Sequence, residues 1–140
     1  YMLNTVTKKY FNKPLFNFDQ LSVNLSELNG SMPASKILII EDDWIIAKEL
    51  QLNLQDLGLD VVGLFDNAED ALLQIVQLQP DLVILDIALA GKMNGIEAGS
   101  EIKKKYPHLP FLFLTAQADI STIEKAKLAD PAGYLVKPIG

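Results

Sequence analysis

The stretch Leu82-Val83-Ile84-Leu85-Asp86 sets four apolar residues directly before one carboxylate. A short unbroken apolar run reads as a strand buried on both faces, the kind from which parallel sheets are built. In open sheets of that kind, ligands bind beyond the carboxyl ends of the strands. Asp86 therefore falls where an α/β sheet does its chemistry, although a lone carboxylate there can equally be a solvated strand end. Three further apolar runs close in a similar way. Ile37–Ile40 ends on Glu41-Asp42-Asp43, Phe111–Leu114 ends on Thr115, and Tyr134–Val136 ends on Lys137-Pro138.

Helical patterns fill the intervals. Ile45, Ile46, Leu50 and Leu57 form the first, with Gly58 as its stop. Asp60–Phe65 is a short strand. Asp66 or Asn67 can cap the next helix, which carries Ala68, Ala71, Leu72, Ile75 and Val76 and stops before Pro80. Downstream of Asp86 a turn-rich loop (Gly91–Gly95) leads to a helix through Ile96, Ala98, Ile102 and Tyr106. Ser121 can cap a last helix through Ile123, Ala126 and Leu128, with Glu124 completing a capping box. Five strands alternating with four helices predict an α/β fold: a flavodoxin-like, doubly wound, five-stranded parallel sheet in the order 2-1-3-4-5. Its switch point sets Glu41 and Asp42 beside Asp86. The fourth and fifth strands bring Thr115 and Lys137 to the same edge.

Composition narrows the function. The net charge is -6, with a pI near 4.6, which argues against direct nucleic-acid binding by this domain. There is no cysteine, hence no disulfide framework, thiolate zinc site or cysteine nucleophile. No apolar run reaches the ~20 residues of a membrane span. No secretory leader is visible, so the expected compartment is the cytoplasm.

Glu41, Asp42 and Asp86 are predicted to converge. Two bare carboxylates about 4 Å apart repel by about 4 kcal/mol at an effective dielectric of 20, so such a cluster calls for a cation. Oxygen-only ligands point to Mg²⁺. Lys137 supplies a positive charge for a phosphoryl or carboxylate oxygen, and Thr115 a hydroxyl donor. A carboxylate facing these groups is a plausible nucleophile toward phosphorus. Singly, each residue has a plainer explanation: acids at a helix N-terminus, a strand-end threonine, a solvated lysine. The conjunction of all four strand ends is what argues for a site.

At this point the sequence resembles the receiver domain of two-component response regulators, the CheY-like family. Glu41-Asp42, Asp86, Thr115-Ala116 and Tyr134-x-x-Lys137-Pro138 carry the likeness over residues 36–140, and the spacings between them are also those of the family. The resemblance implies that Asp86 accepts a phosphoryl group from a histidine kinase or phosphotransfer protein. It implies that Asp42 and Asp86 bind Mg²⁺ with the backbone carbonyl of Ala88, and that Glu41 acts through water. Lys137 would pair with the phosphoryl group, Thr115 would move toward it, and Tyr134 would swing inward as the switch. The Lys137-Pro138 bond would be cis. Such a domain is a signalling switch and not an enzyme beyond its own phosphoryl transfer and autodephosphorylation. A magnesium phosphohydrolase using Asp86 is the enzymatic alternative, but it usually needs an acid where Ala88 stands. A flavodoxin-like cofactor binder lacks its phosphate-cradling glycine loop here.

The sequence departs from the family in three places. The loop from Ile87 to Gly95 is one residue longer than the common form and has Ala90 where proline is usual. The usual fifth helix is missing at the C-terminus. Residues 1–29 form an extension with two helical stripes (Leu3, Val6, Tyr10; Phe18, Leu21, Leu25, Leu28), expected to replace that helix in the same chain or, by domain swap or homodimer, in a neighbour. Tyr10-Phe11-Asn12-Lys13-Pro14 repeats the Tyr-x-x-Lys-Pro spacing of Tyr134–Pro138. Residues 30–35 read as a linker, with Gly30-Ser31-Met32 also fitting an engineered junction before a native start.

Overall fold

Along Lys36–Ile40 alternate side chains enter opposite layers, because successive residues of a strand point to opposite faces. Ile37 and Ile39 pack with Leu50 and Leu54 on one side of the sheet, whereas Leu38 and Ile40 pack with Ala68, Ala71 and Ile75 on the other. All of these except Ile75 are wholly excluded from solvent, and Ile75 nearly so. Each fully buried Leu or Ile contributes about 1.5–3 kcal/mol. The computed structural model describes residues 13, 15–17, 35–116 and 120–137.

Its elements are β1 (Leu15–Phe16), β2 (Lys36–Ile40), α1 (Trp44–Asp56), β3 (Asp60–Phe65), α2 (Ala68–Leu78), β4 (Leu82–Asp86), α3 (Gly95–Lys105), β5 (Phe111–Thr115), α4 (Ile120–Lys127) and β6 (Gly133–Val136). The strands are parallel, in the order β1-β6-β5-β4-β2-β3. Counted from β2, this is the predicted 2-1-3-4-5 sheet. Buried residues of α2, α3 and α4 share one layer with Val83, Leu85, Phe111, Phe113 and Tyr134. α1 lies against the opposite face with Ile84, Leu112 and Leu114.

The helix boundaries have local causes. Asp43 accepts from the amides of Ile45 and Ile46 and caps α1. Asn67, the second of the two cap candidates, accepts from the Asp70 amide at 2.8 Å. Before Pro80, Gln79 takes a left-handed conformation (φ 49°) that closes α2. Asn94 and Glu97 form a reciprocal capping box at α3. α4 begins at Ile120, so Ser121 lies within the helix and is not its cap.

The sheet has six strands among the described residues, one more than the five expected. Leu15 and Phe16 pair with Tyr134 and Leu135, extending the sheet beyond β6. Leu15 is buried in the same layer as Tyr134, and Lys13 reaches Asp130 at 3.3 Å. A two-residue strand with one buried leucine leaves no periodic signal to read. Both helical stripes of the extension and the Lys137–Pro138 bond lie outside the described residues.

Candidate functional site

Parallel register assembles the site. Ile40 is level with Leu85, so the next residues, Glu41 and Asp86, emerge side by side. Asp86 in turn is level with Leu114, and Thr115 with Val136. Four strand tips therefore meet at the carboxyl edge. Backbone hydrogen bonds continue the ladder past the strands: Glu41 donates to the Phe65 carbonyl at 2.9 Å, Ile87 to Leu114 at 3.0 Å, and Lys137 to Thr115 at 2.8 Å.

Carboxylate oxygens of Glu41, Asp42 and Asp86 all lie within 4.8 Å of one another. Glu41 and Asp86 are buried, whereas Asp42 is exposed and opens the cluster to solvent. The adjacent Asp43 is a helix cap, so the acidic run Glu41-Asp42-Asp43 divides into two site residues and one structural one. Lys137 Nζ stands 3.0 Å from Glu41 Oε1 and 3.6 Å from Asp86 Oδ1. Burial raises the Glu41 carboxyl to about 7, and the neighbouring Asp86 adds to the rise. Burial pulls the Lys137 ammonium down, but the hydrogen bond to Glu41 and the charge of Asp86 outweigh it and leave it raised. Thr115 is 5% exposed and borders the cluster through its backbone link to Lys137. Tyr134 is fully buried, its ring 6.1 Å from that of Phe113.

These residues fit a divalent cation. Three oxygen donors converge, and the buried Glu41 Oε1 meets the Lys137 ammonium at 3.0 Å. One lysine cannot neutralise three acids. An all-oxygen set with one solvent-facing member suits Mg²⁺, which keeps part of its water shell.

The family described as response regulator receiver domain matches residues 37–140. The chain belongs to this family. Its receiver domain is 36% identical over 104 residues to the transcriptional regulatory protein PdtaR of Mycobacterium tuberculosis, covering 74% of this chain and 49% of that protein. The chain thus spans about half the length of this curated relative. Among solved structures it is similar to the signal receiver domain of a modulated diguanylate cyclase from Desulfovibrio desulfuricans G20, with 37% identity and a TM-score of 0.71, covering 76% of this chain and 84% of that one. It is also similar to the chemotaxis protein CheY4 of Vibrio cholerae, with 26% identity and a TM-score of 0.69, covering 76% and 89%.

Within this receiver domain the β4–α3 loop shows what the strand-end pattern missed. Ala88 donates its amide to Asp86 Oδ1 at 3.1 Å, and Ala90 donates to Asp42 Oδ2 at 3.1 Å. Met93 donates to Glu69 Oε1 at 3.0 Å. Gly95, where α3 begins, packs directly on the Asp86 and Ile87 carbonyls, leaving no room for a Cβ. The Asn94-x-x-Glu97 capping box was a readable signal for the helix start beside it. Nothing local in the sequence marks Glu69, whose partner is 24 positions away. No described helix is long and apolar enough to cross a membrane.

Proposed function

We propose that Asp86 is the phosphoacceptor of a two-component switch and that a histidine kinase or phosphotransfer protein is the donor. The observation that carries the reading is the convergence of Glu41, Asp42, Asp86 and Lys137 at one sheet edge. Asp42 and Asp86 would hold Mg²⁺ together with the Ala88 carbonyl, and Glu41 would contribute through water. When bound, the ion would offset negative charge on the phosphoryl oxygens.

An Asp86 carboxylate oxygen forms a bond to phosphorus as the P–N bond of the donor phosphohistidine breaks. The electron pair of that bond returns to the imidazole nitrogen. Lys137, at 3.6 Å from Asp86, then stands ready to pair with a phosphoryl oxygen. The added group brings a charge of roughly -1.5 to -2 at pH 7. Thr115 would follow this charge through its hydroxyl, and the strand-end backbone would move with it. Tyr134 is already enclosed, so its expected displacement is a shift within the core toward Thr115, not entry from solvent. A complete population swing needs about 5.5 kcal/mol of differential binding, within reach of several charge-assisted hydrogen bonds.

The domain acts as a switch and catalyses only its own phosphorylation and autodephosphorylation. Acetyl phosphate with Mg²⁺ tests this. One phosphoryl group per chain by intact mass, absent in Asp86→Asn, is the expected result. Repeated turnover of phosphomonoesters would replace the switch by a hydrolase, and no incorporation at all would overturn the reading.

A further inference from the structure

We propose that Glu69 is a positioning residue that holds the β4–α3 loop over the acidic cluster and thereby sets the affinity of that cluster for a divalent cation. This rests on the reading of Asp42 and Asp86 as ion ligands. The loop is fixed near its start by Asp86 itself, through Ala88 and through Leu89, whose amide donates to the Asp86 carbonyl at 3.3 Å. Two other tethers reach across the fold. Ala90 is held by Asp42 of the β2–α1 junction, and Met93 by Glu69 of α2.

The two distant tethers are not equivalent. Asp42 is exposed and belongs to the carboxylate cluster. The Ala90 amide already occupies Asp42 Oδ2, so a cation drawing on that same oxygen would weaken the tether. Glu69 stands outside the cluster and keeps its hold on Met93 throughout. It occupies the first turn of α2, where the helix dipole favours a negative charge. α2 is itself pinned by the Asn67 cap and by the buried Ala68 and Ala71. The loop passes near this carboxylate at Gly91 as well, where a Cβ would come to 4.0 Å from Glu69 Oε1. Gly91 has φ 116°, and Ala90 is not proline, so the loop has little stiffness of its own. Its position over Asp86 depends on being held.

Calorimetric titration of the full chain with Mg²⁺ alone tests the role, with thermal midpoints recorded on the same samples. Glu69→Gln keeps the acceptor and drops the charge. Glu69→Asp keeps the charge but withdraws the acceptor by one methylene. Glu69→Asp is expected to bind Mg²⁺ about tenfold more weakly, the lower end of what outer-sphere partners of metal sites are worth. Glu69→Gln is expected to stay close to the wild type, and both variants to keep its fold. Equal affinity in all three proteins overturns the proposal, as does the reverse pattern, which would mean that only the long-range charge matters. Absence of Mg²⁺ binding by the wild type sinks the ion-ligand reading itself and this inference with it.

Discussion

The Lys137 ammonium lies 3.0 Å from Glu41 Oε1, although the two residues are almost a full domain apart in sequence. Glu41 is wholly buried there and Lys137 mostly so, and Asp86 shares the same cation. Hydrogen bonds to charged groups contribute about 1.5–3 kcal/mol. Lys137→Met should therefore lower unfolding free energy by about that amount at mildly alkaline pH without Mg²⁺. Urea denaturation measures it. Saturating Mg²⁺ should recover much of the loss, because the ion supplies the missing positive charge.

Glu41 carries a distinct pH signature. Its carboxyl is raised from 4.5 to about 7 in the fold, so the native state holds this proton more tightly than the unfolded chain. Stability from this group is then greatest below pH 4.5 and falls as pH rises toward 7, levelling off above it. The size is on the order of 3 kcal/mol. Subtracting the pH–stability curve of Glu41→Gln from that of the wild type isolates the slope. A flat difference between about pH 5 and pH 7 would contradict the burial described for this residue.

Gly95 is expected to resist substitution despite its place in a helix. Alanine would improve helix propensity by about 1 kcal/mol. Against that, the added Cβ meets the Asp86 and Ile87 carbonyls, and backbone cannot rotate aside as a side chain does. Overpacking typically costs 1–3 kcal/mol, so Gly95→Ala should destabilise on balance. Because the obstructed atom belongs to Asp86, acetyl phosphate incorporation should fall as well. Thermal melts and intact mass spectrometry read the two effects separately.

The edge strand should be held by apolar burial more than by charge. Leu15 is 8% exposed within the core layer. Leu15→Ala is expected to cost about 2–5 kcal/mol. The Lys13–Asp130 pair is partly exposed on both sides and shares Asp130 with Lys103. Exposed pairs of this kind are worth about 0–1 kcal/mol, so Lys13→Ala should change the melting temperature little. Equal losses in the two variants would show that the ion pair secures β1 as much as the leucine does.

The α/β class, the five repeat strands and the residues at their tips could be read from sequence because buried parallel strands are continuous apolar runs that end abruptly in polar residues. Leu82–Asp86 and Ile37–Asp42 announce in this way both their strands and the carboxylates that meet at the sheet edge. Local signals also narrowed the cap of α2 to Asp66 or Asn67 and placed the stop before Pro80. Only the tertiary structure separated Asp43, a helix cap, from Glu41 and Asp42, since three consecutive acids look alike until the chain turns. Only it showed that Leu15–Phe16 joins the sheet, that Glu69 reaches Met93, and that Gly95 touches Asp86. These relations depend on contacts between residues distant in sequence, and no periodicity along the chain records which partner a short strand or a lone carboxylate will find across the fold.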